Sequence, residues 1–432
     1  MRNTLKAATL ESKFPLLAVE ADCIISKDAD ITAVFEVDLP ELFTVTAAEY
    51  EAIHAAWAKA IKVLPNYTVV HKQDWFIRED YRSQTDKENL SFLSRSYEMH
   101  FNERPFLNHK CYLYLTKTTK ERMRMQSSFS SLCRGFIIPK EVDKDTTAHF
   151  LDTVGQFARI VNDTGLVHLR RLVGDEITGT ENKAGLVEKY FCLSMENTTA
   201  LEDIELGDDG LRVGDKHVSV HTLSELDALP SKVGTDCRYE RLSTDKSDCK
   251  LSFASPVGLL LSCNHLYNQY IFLDDSGENL QRFEKNARNM QSLSKYSRSN
   301  QINKEWIDLY LNDAHSFGLT SVRAHCNIIA WTDNPMEVKN MRNDVGSQIA
   351  MMECKPRHNT VDAATLYWAA MPELRFTFRT EDVRPYQRKT AARGHLRPAD
   401  ETWRNHQPQQ IRIGRFGKRQ VILYESFGEA IL

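Results

Sequence analysis

"EWIDLYLNDAHSFGLTSVRAHCNIIAWTDNPMEVKNMRNDVGSQIA", residues 305–350, changes period twice and so sets the fold class. Trp306, Leu309, Tyr310, Ala314 and Phe317 recur at helical spacing, a stripe that Gly318 closes. Val322, Ala324, Cys326, Ile328 and Ala330 then alternate with Arg323, His325 and Asn327, the two-residue period of a strand with one apolar and one wet face. Asn334 and Pro335 suit the start of a second helix, whose apolar face is Val338, Met341, Val345 and Ile349.

Upstream the same grammar recurs. "CIISKDADITAVFEVDL" (23–39) predicts two strands around a tight turn at Lys27–Asp30. Thr46 and Glu49 have capping-box spacing, and Ile53, Trp57, Ile61 and Leu64 share a core-facing helical face that Pro65 ends. "YTVVHKQDWFIR" (67–78) and "HKCYLYLTK" (109–117) read as strands flanking a helix near 89–103. "VGLLLSCNHLYNQYIFLDD" (257–275) reads as a strand, a polar interruption and a second strand. "GDEITGTENKAG" (174–185) and "LGDDGLRVGDK" (206–216) are turn-rich, the places for insertions or subdomain joins. Together these predict an α+β fold, mixed sheets with helices packed on one side. The expected organisation is an N-terminal α+β region at 1–172, a second at 173–372, and an atypical, poorly ordered Arg-rich tail at 373–432.

Charge agrees with a boundary near Pro372. The chain carries 55 basic and 59 acidic residues, net −4, which favours neither nucleic acid nor acidic lipid overall. Residues 373–432 hold 12 basic and 7 acidic residues, +5, leaving −9 on the rest. Within that tail Phe376, Phe378, Tyr386 and Trp403 are interleaved with arginines, which suits single-stranded nucleic acid. Acids are mixed in and no apolar face forms, so disorder is the stronger expectation.

No stretch reaches the about 18 apolar residues of a membrane helix. "MRNTLKAATLESKFPLLAVE" (1–20) puts Lys6, Glu11 and Lys13 where a signal peptide needs an apolar core. The nine cysteines include no CxxC and read as reduced cytosolic thiols.

Searches for chemistry mostly fail. The sequence lacks GxxxxGK[ST], GxGxxG, HExxH and GxSxG patterns. Cys237, Cys249 and Cys263, even with His265, are too widely spaced for a zinc module. "SCNHLYNQY" (262–270) offers Asn264, His265, Asn268 and Gln269 as a binding loop, but a hairpin turn satisfying local backbone is the preferred reading. Lys355, Arg357 and His358 could grip a phosphate or an acidic partner, against the plainer reading of a solvated loop. No catalytic, cofactor-binding or metal-binding residue is assigned.

"KYSRSNQINKEWIDLYLNDAHSFGLTSVRAHCNIIAWTDN" (295–334), with "MRNTLKAATLESKFPLLAVE", "CNHLYNQYIFLDDSGENL" (263–280) and "MECKPRHNTVDAATLYWAAMP" (352–372), closely resembles TraG-type conjugative transposon ATPases, of the type IV secretion ATPase family. The resemblance covers residues 1–372 and only the family's N-terminal region. It implies an assembly or partner-interaction domain of a DNA-transfer apparatus, cytoplasmic or peripheral at the inner membrane. Its partners would be other conjugation and secretion proteins, further copies of the chain, and nucleic acid only through the tail. The family hydrolyses ATP with Mg²⁺ through a phosphate loop in a RecA-like motor, which lies beyond the point where this chain departs. No cofactor is therefore expected in this chain.

The tail is compatible with a shifted reading frame. One permitted codon spelling of Gly414–Glu425, read one base later, encodes Gly-Gly-Ser-Ala-Lys-Gly-Lys-Ser, the phosphate-loop pattern. A chain truncated before its motor, probed by resequencing, is the expectation that follows.

Overall fold

The computed structural model describes residues 16–26, 30–40, 46–80, 91–102, 105–120, 144–195, 201–207, 210–223, 237–238, 243–245, 250–251, 254, 256–293, 295–317, 320–360, 362–372 and 412–413. The tail beyond 372, apart from Arg412–Ile413, lies outside these residues, and with it the expectations placed on Phe376, Phe378, Tyr386 and Trp403.

The chain is α+β. β1 (Leu16–Glu20), β2 (Cys23–Ser26) and β3 (Ile31–Asp38) form a meander. α1 (Ala47–Val63) follows, with the predicted capping box in place: Glu49 N donates to Thr46 Oγ1 at 3.3 Å, and Thr46 N donates to the Glu49 carboxylate at 2.8 Å. β4 (Thr68–Glu79) and β5 (Phe106–Lys117) form a long hairpin whose connection contains α2 (Phe92–Asn102). α3 (Lys144–Asn162) and β6 (His168–Arg171) return the chain to β3.

The turn-rich middle is structured. α4 (Gly174–Thr178), the small hairpin of β7 (Gly179–Thr180) and β8 (Lys183–Ala184), and α5 (Leu186–Cys192) pack together. β9 (Ile204–Gly207), β10 (Gly210–Val213) and β11 (Lys216–Thr222) then form a second meander. Gly214, at φ 56°, occupies the left-handed region in the β10–β11 turn. β12 (Cys237–Arg238) pairs with β13 (Lys250–Leu251), and a π-helical turn at Pro256–Leu260 leads into β14 (Asn264–Leu273). α6 (Ser276–Leu293), α7 (Arg298–Phe317), β15 (Thr320–Ser321), β16 (Arg323–Thr332), α8 (Val338–Met351), β17 (His358–Asn359) and α9 (Ala363–Ala370) follow, and Arg412–Ile413, β18, pairs with β15.

One twelve-stranded sheet takes strands from both sides of residue 172, in the order β1-β2-β3-β5-β4-β14-β16-β11-β10-β9, with β6 also on β3 and β17 also on β11. Two details differ from the sequence reading. Each pairing in this sheet is antiparallel rather than mixed, because its neighbours join by hairpins or by long returns that reverse direction. Helices also cover both faces rather than one.

On the first face Val69, Trp75, Tyr114, Tyr270 and Trp331 pack under Tyr190 and Phe191 of α5 and Leu366 and Tyr367 of α9. On the second face Ala33, Val70, Leu113 and Ile271 meet Ile53, Trp57 and Ile61 of α1 and Phe150, Val154 and Phe157 of α3. Trp57 and Phe157 meet edge to face at 5.6 Å. Farther along, Tyr267, Ile328 and Ala330 meet Met341, Val345 and Ile349 of α8, the face expected for that helix. Burying each such large side chain contributes about 2–3 kcal/mol before entropy is counted.

Burial of both faces corrects the wet strand face. His325 and Asn327 of β16 are inside. The helical stripe at 306–317 is rotated as well. Ile307, Tyr310 and Ala314 are buried against Phe283, Ala287 and Met290 of α6, while Leu309 faces water.

Candidate functional site

The polar run Asn264–Gln269 is neither a binding loop nor a hairpin turn. It is the first half of β14, an uninterrupted strand between β4 and β16 near the middle of the sheet. Strand alternation sends its polar side chains to opposite faces.

On the first face Asn268 joins a buried network centred on Gln73 of β4. The Gln73 amide donates to Asn268 Oδ1 at 2.6 Å and to the Ala370 carbonyl of α9 at 3.1 Å. Its own oxygen accepts from Trp75 Nε1 at 2.8 Å, from Tyr114 OH at 3.3 Å, and from Tyr190 OH of α5. Asn268 passes the chain on to Asn327 at 2.9 Å, whose amide meets His325 Nε2 at 3.1 Å. His71 lies between the Tyr114 and Tyr270 rings, at 5.0 and 4.0 Å, and its Nε2 contacts Asn268 Oδ1 at 3.2 Å, which makes that nitrogen the donor. Burial pushes the Tyr190 and Tyr114 hydroxyls far above their ordinary range, so both stay protonated donors. The network fixes strand register and seats two helices.

On the second face Lys72 and Asp74 form an ion pair, Nζ to Oδ2 at 2.5 Å, with both side chains fully buried. His109 Nε2 lies 3.0 Å from the other Asp74 oxygen. Burial drives the Asp74 carboxyl up, but the Lys72 charge and His109 outweigh it and hold it below the ordinary value. Burial likewise keeps His109 below its usual pKa. Phe76 is sandwiched between His109 at 4.6 Å and His265 at 4.5 Å. His265 donates from Nδ1 to the Cys263 carbonyl at 2.8 Å, and burial pushes it down to about 4. Both ends of the Gln269 amide, also on this face, are buried without a hydrogen-bond partner among the described residues.

The basic trio divides. Lys355, Arg357 and His358 are all exposed, and of the three His358 lines the pocket formed with α8. It sits on β17 directly opposite His221 of β11, the rings 5.3 Å apart. Arg342 of α8 completes the group around an open pocket of 540 Å³. Burial, then His358 and Arg342, push His221 down to about 3, and burial with Arg342 lowers His358. Neither His221 nor Arg342 was legible as a partner of His358, since only the β11–β17 pairing and the α8 packing bring them there.

Among the described residues no group of three or more His, Cys, Asp or Glu is placed to hold a metal ion. Cys263, on the turn before β14, is in no disulfide, and neither are Cys23, Cys111, Cys192, Cys326 and Cys354 elsewhere. No described helix is long and apolar enough to cross a membrane.

Among the described residues, α2, in the connection of the β4–β5 hairpin, carries a cluster of exposed apolar side chains. Phe92 is 81% exposed, Leu93 78%, Tyr97 64% and Met99 56%, and Phe106 at the start of β5 is 47% exposed. Phe92, Tyr97 and Met99 are spaced too loosely for one narrow stripe, so apolar groups reach water around much of the helix.

A family model described as a domain of unknown function, B. theta gene description (DUF3875), matches residues 3–55, which run through β1 to β3 and into α1. Comparison with curated proteins finds no match.

Proposed function

We propose that residues 1–372 form the non-motor, N-terminal portion of a TraG-type conjugation ATPase in a type IV secretion apparatus, serving assembly or partner interaction. The segment resemblance supplies the family, and α2 is the single structural observation that supports the role. Large exposed apolar patches mark surfaces that another protein or a membrane covers. Four such exposed side chains on one helix in the β4–β5 connection cost solubility unless something covers them.

In this reading the chain sits in the cytoplasm or peripherally at the inner membrane, and its partners are further copies of itself and other transfer proteins. It hydrolyses no ATP, because its sequence has no phosphate loop to hold the nucleotide. The test is reconstitution with the other components of the same transfer machinery, comparing the natural chain with Phe92→Ser/Leu93→Ser/Tyr97→Ser. Loss of complex formation with an unchanged unfolding midpoint supports the reading. Equal binding by both chains, or nucleotide hydrolysis by the purified chain, defeats it.

A further inference from the structure

We infer that the pocket between α8, β11 and β17 binds the phosphate group of a phosphorylated small molecule. Its polar lining is His221, Arg342, Asn343, Ser347 and His358, with Pro356 as an apolar wall and no Asp or Glu. The volume, 540 Å³, lies within the range of small-ligand pockets, about 300–1,000 Å³, and exceeds what a bare inorganic ion fills.

Arg342 is the centre of the site. It is half-buried, its buried Nε has no hydrogen-bond partner, and no carboxylate pairs with its guanidinium among the described residues. An arginine partly withdrawn from water normally has its planar fork engaged by a carboxylate or phosphate. Here Arg342 lines a pocket together with two imidazoles and the Asn343 side chain. The Ser347 hydroxyl is committed to the Asn343 carbonyl at 2.8 Å, so the donors left for a ligand are the guanidinium, the Asn343 amide and His358. His221 stands behind His358, its Nε2 3.0 Å from Ser219 Oγ.

Electrostatics favours an anion in the same place. Burial first, and the Arg342 charge after it, lower the pKa of both histidines, and an anion bound beside them would favour their protonated, donating forms. Lys355 and Arg357, exposed on the adjoining loop, add to the positive field at the mouth. This inference is independent of the assembly role, since α2 and the pocket share no residue.

The experiment is isothermal titration of the full chain with inorganic phosphate, ribose 5-phosphate, acetate and a poly-glutamate peptide. Ribose 5-phosphate is expected to bind more tightly than inorganic phosphate, and acetate not at all. Arg342→Gln should weaken both phosphates by about tenfold, the loss expected for a bidentate charged contact. His358→Asn should give a smaller loss, and Arg159→Gln on α3 none. If Arg342→Gln fails to fold, His358→Asn decides alone. Absence of phosphate binding, equal losses in the Arg159 variant, or binding of poly-glutamate without phosphate overturns the assignment.

Discussion

Tyr190 donates its hydroxyl to Gln73 Oε1 across 117 residues of sequence, fastening α5 to the central strand β4. The same oxygen accepts from Trp75 and Tyr114, while the Gln73 amide holds Asn268 and the end of α9. Gln73→Leu keeps the size and strands these partners in an apolar setting. With a cost of about 1–3 kcal/mol for each buried group left unpaired, the variant should lose roughly 3–5 kcal/mol in urea unfolding after partial rearrangement. A loss below about 1 kcal/mol would show that the network is redundant.

Acid sensitivity should come from buried histidines. His265 and His221 have folded pKa values pushed down to about 4 and about 3, below the unfolded value near 6.5. The unfolded chain therefore takes up protons first as pH falls. Their contribution is intact above about pH 6.5 and is lost on descent toward the folded values, at about 1 kcal/mol per pH unit for each group. His109, also lowered, adds in the same direction, and Asp74, depressed by Lys72 and His109, adds its own loss only below about pH 4. Denaturant midpoints measured from pH 7.5 to 5 should fall steadily, and less steeply in His265→Gln. An unchanged slope in that variant would exclude His265 as a contributor.

The sequence made local structure legible where one face is apolar and the other wet. α1 shows this best: Thr46, Glu49, Ile53, Trp57 and Ile61 all occupy the positions their spacing implies. The same logic misplaced β14 and β16. Asn264, His265, Asn268, Gln269, His325 and Asn327 look like solvent-facing residues, yet helices cover both sides of the sheet and all but the half-buried Asn264 are buried. Their partners lie on other strands and helices, and no local pattern announces a polar group that is satisfied at long range. The pocket was half legible, through His358. Arg342 and His221 needed the tertiary structure to join it.

Gln269 is an exception inside the core. It lies opposite Lys72 on β4 and Cys326 on β16, and its amide has no partner among the described residues. Replacing an unpaired buried amide by an apolar group of similar shape removes a desolvation cost of about 1–3 kcal/mol. Gln269→Met should therefore raise the urea midpoint, by roughly 1 kcal/mol after the lost amide contacts are counted. Destabilisation instead would mean that the amide is hydrogen-bonded in solution, most simply through a trapped water.

The reading frame beyond Pro372 carries the last prediction. Among the described residues the packed cores end at Met371, and past it Arg412–Ile413 pairs with Thr320–Ser321 and comes near α1. Such a short pairing contributes little to stability. A chain ending at Pro372 should then unfold at the same denaturant concentration as the full chain, within about 0.5 kcal/mol. The coding DNA for Gly414–Glu425, read one base later, should spell a phosphate loop followed by an apolar helix. If the deletion destabilises the protein strongly, residues 373–432 belong to the fold and the frameshift idea fails with it. If the deletion is silent but the shifted frame encodes no phosphate loop, the tail is a genuine Arg-rich segment. Salt-dependent binding to single-stranded nucleic acid, lost on deletion, is then the property to measure.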